Sequence, residues 1–113
     1  MSILLVAFGG AIGASLRHMV SLLFAGSAWP VGTLMVNIIG CLAMGGLAGS
    51  GLSAQARLFW LTGVLGGFTT FSAFSLEAAM LWERAAWQGV AYVLASVALS
   101  LGAFSVGCLL ARG

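Results

Sequence analysis

Long apolar runs dominate the chain, and charged side chains interrupt them at only six positions. Between these positions, residues 18–56, 58–76 and 85–111 contain no Asp, Glu, Lys or Arg, and about 20 apolar residues suffice for a membrane-spanning helix. The longest run is divided at GSAWP (26–30), because glycine and proline disfavour continuation of a helix. The pattern therefore predicts four spanning helices, at about 3–24, 31–49, 58–82 and 87–111. The charged residues are Arg17, Arg57, Glu77, Glu83, Arg84 and Arg112.

Composition supports the same fold class. Of 113 residues, 62% are hydrophobic and 5% are charged, and the mean hydropathy is +1.17, whereas soluble domains carry several times more charge. The predicted loops are short, so we expect an all-α membrane protein with a single transmembrane domain over residues 1–113. The first basic residue, Arg17, follows the first apolar run, which is the wrong order for a secretory signal. We expect a lipid environment, no nucleic-acid partner and no enzymatic activity.

The basic residues give the chain little preference for one orientation. Four spans place both termini and the second loop on one side, with Arg57 and Arg112; the other side has Arg84 and, depending on its depth, Arg17. So small an imbalance does not fix topology by the positive-inside rule. Four helices are also too few to enclose a pathway alone, and an antiparallel pair of identical chains would solve both problems. The sequence therefore predicts a dual-topology antiparallel homodimer.

The stretch GGFTTFSAF (66–74) interrupts the third predicted helix near its middle. Gly66, Gly67, Thr69 and Thr70 place four poor helix formers within five residues. A helix broken in hydrocarbon frees backbone groups that need another partner. In an antiparallel dimer the two breaks can face each other, and their carbonyls can hold a dehydrated cation. A plain kink, with threonine hydroxyls satisfying the backbone, explains the same residues equally well.

Neutral polar side chains recur within the spans. Tyr92, Ser96 and Ser100 are spaced by four and share one face of the fourth helix. Asn37 lies in the second helix, where an amide in hydrocarbon must find a partner. A single serine commonly bonds to its own preceding turn, whereas a stripe of hydroxyls can donate to something that moves along it. Further hydroxyls follow the break at Ser72 and Ser75.

Phe71 and Phe74 are three residues apart, so their rings share a helical face. Such pairs usually pack in a core or against lipid, but the positive edge of a phenyl ring can also attract an anion weakly. Ring edges, amides and hydroxyls together describe a path for a small, strongly hydrated anion better than one for a cation. Cys41 and Cys108 lack the neighbouring ligands of a metal site and are interpreted as small core residues.

Three segments resemble the signatures of a known family. GGAIGASLRH (9–18), VGTLMVNIIGCLAMG (31–45) and GVLGGFTTFSAF (63–74) are similar to segments of the CrcB, or Fluc, fluoride channels, and the similarity extends over essentially the whole chain. The resemblance implies a dual-topology dimer with two antiparallel pores in the bacterial inner membrane. It implies passive, fluoride-selective export that protects against fluoride toxicity. It also implies a structural sodium ion at the dimer centre, held by backbone carbonyls of Gly66 and Thr69 from both subunits.

The resemblance also implies roles for individual residues. Arg17 and Glu77 correspond to residues near pore vestibules. Three positions depart from the usual family pattern: His18 replaces a common Tyr, Leu65 a frequent Cys, and Ala73 the usual Thr between the two phenylalanines. Since Ala73 lacks a hydroxyl, Ser72 or Ser75 is expected to supply that donor, and His18 is interpreted as an interfacial residue. The expected pore residues are Thr33, Asn37, Phe71, Ser72, Phe74, Ser75, Tyr92, Ser96 and Ser100.

Two other classes of protein share some of these features. A proton-coupled small multidrug exporter is also a four-helix dual-topology dimer, but coupling needs an ionisable carboxylate within the bundle. Glu77 is the single candidate for that role, and it lies toward the end of its helix. A subunit of a larger membrane complex would explain the small packing residues, but it would explain neither the glycine–threonine break nor the polar stripe.

Overall fold

The computed structural model describes residues 2–26 and 29–112, and every regular element in those residues is a helix. Four spans, long and apolar enough to cross a membrane, run at Ser2–Leu23, Val31–Ala48, Ala54–Arg84 and Ala86–Arg112. The prediction of four spanning helices is confirmed, and the chain is a multi-pass membrane protein. The predicted first loop, 26–30, includes residues 27 and 28, which lie outside the described residues.

The third span begins earlier than the charge pattern predicts. The Ser53 hydroxyl accepts a hydrogen bond of 3.2 Å from the Ala56 amide, so it satisfies one of the free N–H groups of a helix start. The helix therefore starts at Ala54 instead of 58. Before it, Gly51 turns the chain with a φ of 75°, a conformation that glycine adopts without steric cost.

The third span is composed of several helical segments. An α-helical turn at Ala54–Arg57 leads into a π-helix at Leu58–Leu65 and a further α-helical turn at Gly66–Phe68. The helix then resumes at Ser72–Arg84. Residues 54–68 are called the N-terminal half below, and Ser72–Arg84 the C-terminal half. The interruption is consistent with the predicted break, whereas no sequence signal indicated the π-helix.

Glycine contacts hold the first span against the N-terminal half of the third. A Cβ on Gly67 would lie 2.7 Å from the Gly10 carbonyl oxygen, and one on Gly63 would lie 2.9 Å from the Gly9 Cα. A Cβ on Gly13 would overlap the Val64 carbonyl oxygen. Small residues allow helix backbones to approach this closely in lipid. The first span therefore packs closely against the N-terminal half of the third span, just before the break.

The second and fourth spans meet at a similar seam. A Cβ on Gly107 would lie 2.8 Å from the Gly46 amide nitrogen, and one on Gly45 would lie 3.1 Å from the Cys108 amide nitrogen. Next to this seam, the C-terminal half of the third span packs on the fourth span through the buried side chains of Phe74, Leu81 and Tyr92. The second, third and fourth spans thus surround the region beside the break.

Candidate functional site

The side chain of Asn37 occupies the break in the third span. Its Nδ2 donates to the Thr70 carbonyl at 3.1 Å, and its Oδ1 accepts from the Thr70 amide at 2.9 Å. The Asn37 side chain therefore supplies both hydrogen-bond partners that the Thr70 backbone would have in a continuous helix. This pairing identifies the partner that Asn37 was expected to need, and it places the second span directly against the break.

The threonines satisfy further backbone groups around the break. Thr69 donates from its hydroxyl to the Leu65 carbonyl at 3.0 Å. The Thr70 hydroxyl accepts from the Ala73 amide at 3.2 Å, the geometry of a side-chain cap at a helix start. The Thr70 hydroxyl therefore satisfies a backbone amide, as the plain-kink interpretation expects, whereas the Leu65 carbonyl already accepts from the Thr69 amide at 2.9 Å.

Arg17 lies within the first span and reaches the same region. Its Nε donates to the Gly67 carbonyl at 3.2 Å. The guanidinium thus gives the Gly67 carbonyl a hydrogen-bond partner just before the break. The helical segment ends there, so a positive charge also complements its dipole. Because Arg17 lies within the span and bonds to Gly67, it counts toward neither side when loop charges are compared for the positive-inside rule.

Two carbonyls at the break lose their helical donors. In a continuous helix the Thr70 amide would donate to the Gly66 carbonyl, and the Ala73 amide to the Thr69 carbonyl. Here the first amide is directed to Asn37 and the second to the Thr70 hydroxyl. These two residues are the ones from which the resemblance predicts sodium ligands. Within residues 2–26 and 29–112 there is no group of three His, Cys, Asp or Glu side chains that could hold a metal.

Gly40 makes room for the break. A Cβ at this position would overlap the Thr69 Cγ2 and lie 3.2 Å from the Phe68 Cδ2. Since Gly40 follows Asn37 by three residues, both are on one face of the second span. One turn of this helix therefore meets both threonines of the break: Thr69 packs against the bare backbone of Gly40, and Thr70 bonds to the Asn37 amide.

A groove of about 300 Å³ opens beside the break, between the second, third and fourth spans. It brings together five of the nine predicted pore residues, and no charged side chain lines it. Such a wall can offer hydrogen bonds and ring edges without holding an ion by a full opposite charge. The groove is lined by Asn37, Cys41, Thr69, Thr70, Phe71, Phe74, Ser96, Val97, Ser100 and Leu101.

The two phenyl rings have different surroundings. Their centroids are 5.3 Å apart, but Phe71 is 76% exposed whereas Phe74 is 7% exposed. Phe74 also lies 5.3 Å from the ring of Tyr92, which in turn meets Trp29 edge-on at 6.2 Å. Phe74 is therefore fixed in an aromatic stack, and Phe71 stands free at the groove on the outer surface of a single chain.

The hydroxyl stripe of the fourth span is divided between the groove and the aromatic stack. Ser96 and Ser100 line the groove, while Tyr92 is fully buried behind Phe74. The Ser96 Oγ and the Tyr92 Oη are both buried, and neither has a hydrogen-bond partner of normal geometry among the described residues. An unpaired buried hydroxyl costs about 1–3 kcal/mol, so the Ser96 hydroxyl, which lines the groove, is available to a polar species that enters.

A second cleft of about 280 Å³ contains two further predicted residues. The Thr33 hydroxyl donates to Oε1 of Glu77 at 2.5 Å, and both residues line this cleft together with Arg84 and Trp29. Thr33 therefore contacts the predicted vestibule carboxylate instead of lining the groove with Asn37. Arg17, the other predicted vestibule residue, is not among the residues that line the cleft.

Several predicted site residues lie outside both spaces. Ser72 and Ser75 are exposed and line neither the groove nor the cleft; Ser72 instead lies 3.3 Å from the Thr70 hydroxyl. Gly66 and His18 are also exposed. The expectation that Ser72 or Ser75 replaces the hydroxyl missing at Ala73 stays a prediction.

Three residues that line the groove or pack against the break have roles that the sequence did not predict. The Thr70 hydroxyl accepts a hydrogen bond from the Ala73 amide at the start of the C-terminal half. The sequence did not signal this role, because Ala73 is not the Glu or Gln of a capping box. Nothing in the sequence distinguishes Gly40 from the other glycines of the spans. Cys41 was interpreted as a core residue, but it is half-buried on the groove wall. Its position four residues after Asn37 was the available signal, because that spacing places both residues on one helical face.

The fold and the groove together define a class: a multi-pass helical membrane protein whose neutral polar groups converge beside a broken helix. Comparison with known proteins identifies the family. The profile described as "CrcB-like protein, Camphor Resistance (CrcB)" matches residues 4–108, and the chain belongs to this family.

Similar proteins in several bacteria are named "Fluoride-specific ion channel FluC". The protein from Hyphomonas neptunium is 54% identical over 96% of this chain and 94% of its own length. That from a Chelativorans species is 50% identical over 97% and 95%, and that from Rhodopseudomonas palustris is 47% identical over 99% and 98%. The similarity therefore spans the full transmembrane region.

Proposed function

We propose that this chain is a fluoride-specific ion channel that lets fluoride leave the cell passively. Its membership of the CrcB-like family and its identity of about half with proteins named for this function support the proposal. The observation that carries it is the uncharged groove beside the break, in which Asn37, Phe71 and Ser96 meet. Those relatives are named as ion channels and not as enzymes.

The groove chemistry suits a small anion. Fluoride is strongly hydrated, so a path must replace its water with donors, and Ser96 and Ser100 present hydroxyls along one wall. Asn37 has a second Nδ2 hydrogen beyond the one donated to Thr70, since a primary amide carries two. A narrow file of such donors fits a larger halide poorly, which is the proposed source of selectivity.

The direction of transport follows from the membrane potential. An inside-negative potential favours anion exit by about 2.3 kcal/mol per elementary charge per 100 mV. A passive pore in the bacterial inner membrane therefore suffices to expel fluoride that entered as the neutral acid. No coupling to ATP or to a proton gradient is required.

We further propose an antiparallel homodimer of dual topology with two pores. The groove is open in a single chain, and Phe71 stands exposed beside it; a second copy would cover both. Arg57 and Arg112 at one end against Arg84 at the other give little orientational preference. Equal activity of a cytoplasmic reporter and a periplasmic reporter, each fused to the C-terminus, would support dual topology, and a strong bias would refute it.

A sodium ion at the dimer centre is the last part of the proposal. Gly66 and Thr69 carry the carbonyls whose helical donors are diverted to side chains, and hard cations prefer neutral or anionic oxygen ligands. Such an ion would join the two breaks and raise the local potential for anions. These carbonyls, from both subunits, are the residues that would hold it.

A halide-resolved flux assay tests the function. Purified protein is reconstituted in liposomes loaded with potassium fluoride or potassium chloride, and efflux is started with a potassium ionophore at equal pH on both sides. We expect rapid fluoride efflux with chloride retained. Equal release of both halides would refute the channel proposal, and substrate movement that requires a pH gradient would favour the exporter.

A further inference from the structure

Building on the proposed function, we propose that the Cys41 thiol is a modification site on the ion path. Small thiol-directed electrophiles that enter the groove would attach to its Sγ and block transport. The chain would then be sensitive to such reagents through one position in the second span.

The placement of Cys41 is the first observation. It follows Asn37 by four residues, so it lies one turn further along the same face of the second span. It lines the groove together with Ser96 and Ser100, and it is half-buried. A group added to Sγ would therefore extend into the space between the second and fourth spans.

Ser96 provides an independent indication that a ligand enters at this level. Its side chain is 5% exposed, its Oγ has no hydrogen-bond partner of normal geometry among the described residues, and it lines the same groove. A buried hydroxyl of this kind is satisfied when a polar species arrives. Because Cys41 and Ser96 line one space, a group on the thiol would compete with that species for it.

Methyl methanethiosulfonate is a suitable small, neutral reagent. The thiolate of Cys41 attacks the sulfenyl sulfur, a new S–S bond forms, and the S–SO₂ bond breaks with its electron pair leaving on methanesulfinate. The thiol proton passes to the solvent. The product carries one methylthio group and no added charge, so any block is steric. Thiols in apolar surroundings react slowly, so the reaction is followed to completion by mass spectrometry.

Cys108 is the matched control within the same chain. It is also half-buried and also lies in a span, but it is on the fourth helix, where its backbone meets Gly45 and Gly49 at the seam with the second span. It does not line the groove. Modification there should leave transport largely intact.

The experiment compares the unsubstituted chain with three variants: Cys108→Ala, Cys41→Ala and, as a second replacement at the same position, Cys41→Ser. Each is reconstituted, treated to full modification, and compared with its own untreated fluoride efflux rate. We expect the unsubstituted chain and Cys108→Ala to lose flux by about tenfold or more on treatment, equivalent to about 1.4 kcal/mol on the barrier. Both Cys41 variants should be insensitive. Reversal of the loss by a reducing thiol completes the expected result.

Three outcomes would overturn the inference: unchanged flux in protein modified at Cys41, a block that persists in the Cys41 variants, or failure of Cys41 to react in folded protein that reacts after denaturation. Absence of fluoride efflux before treatment would instead refute the proposed channel function. The two failures are therefore distinguished by the untreated sample.

Discussion

Asn37 and Thr70, which are 33 residues apart in the sequence, form a closed pair of hydrogen bonds through the side-chain amide of the first and both backbone groups of the second. This relationship gives the interrupted third span a definite shape. The interruption is a supported feature because the N–H and C=O groups of Thr70 are satisfied by a residue from another helix. Asn37 also lines the groove. One side chain therefore both stabilises the break and forms part of the wall of the candidate path.

Replacing Asn37 with Asp should lower fluoride flux by about tenfold or more. The carboxylate cannot donate to the Thr70 carbonyl, and leaving a buried group unpaired costs about 1–3 kcal/mol. It would also repel an anion in the groove. Gln55→Glu, the same chemical change on an exposed turn of the third span, is the control and should transport normally. Faster efflux through Asn37→Asp would contradict the assignment.

Replacing Phe71 with Ile should reduce fluoride flux while the chain still assembles. The phenyl ring that lines the groove is lost, and with it a positive edge that can attract an anion, whereas most of the apolar bulk remains. The matched variant is Phe8→Ile, since Phe8 is similarly exposed at 70% but lies on the first span, away from the groove. Flux is measured in liposomes, and assembly by size-exclusion chromatography. Equal flux in both variants would assign Phe71 a packing role only.

Gly13→Ala should destabilise the protein, whereas Gly102→Ala should not. A Cβ on Gly13 would overlap the Val64 carbonyl oxygen, while one on Gly102 would have no atom within 4 Å. Overpacking of this kind costs about 1–3 kcal/mol, more than the roughly 0.5–1 kcal/mol that alanine gains over glycine in a helix. Thermal unfolding midpoints in detergent measure the difference. A Gly13→Ala midpoint at or above that of the unmodified chain would show that the first span is less closely packed than described.

Glu77→Gln should preserve passive, fluoride-selective efflux. The amide oxygen of glutamine can still accept from the Thr33 hydroxyl, so the contact now measured at 2.5 Å is retained without the charge. A proton-coupled exporter would lose its only carboxylate within the bundle and with it all transport. Flux assays at equal and unequal pH compare the two expectations. Strict dependence of the unmodified chain on a pH gradient, abolished by Glu77→Gln, would favour the exporter.

Removal of sodium should weaken the proposed dimer. When sodium is replaced by a bulky organic cation, the carbonyls of Gly66 and Thr69 lose the ion that would compensate for their missing helical donors. We expect a lower thermal midpoint and less dimer in size-exclusion chromatography, with recovery on return of sodium. Potassium at equal ionic strength serves as the control for screening. Identical stability in all three salts would argue against a structural sodium ion.

The sequence was sufficient to predict elements whose signals are local. Runs without charge define the four spans, because burial of uncharged side chains in lipid does not depend on which helices become neighbours. The clustered poor helix formers at 66–70 indicated where the third helix is interrupted. The spacing of Ser96 and Ser100 predicted a shared face, and both residues line the groove.

Features that depend on the packing of distant helices could not be read from the sequence. The sequence showed that Asn37 needed a partner, but the identity of that partner depends on how the second span docks on the third. The same holds for Thr33, which contacts Glu77 rather than the groove. The π-helix at Leu58–Leu65 has no composition that distinguishes it from an ordinary helix. The Asn37 and Thr33 contacts follow from the way in which the second span docks on the third.

The intramolecular support of the interrupted helix has a consequence for biogenesis. Because Asn37, Thr70 and Arg17 satisfy the backbone groups that they contact within one chain, these hydrogen bonds of the interruption need no partner chain. Association of two chains would then join surfaces that are already formed, without the energetic penalty of unwinding helices inside the bilayer. In the proposed antiparallel dimer, each copy would therefore contribute an interruption whose shape is already set within its own chain.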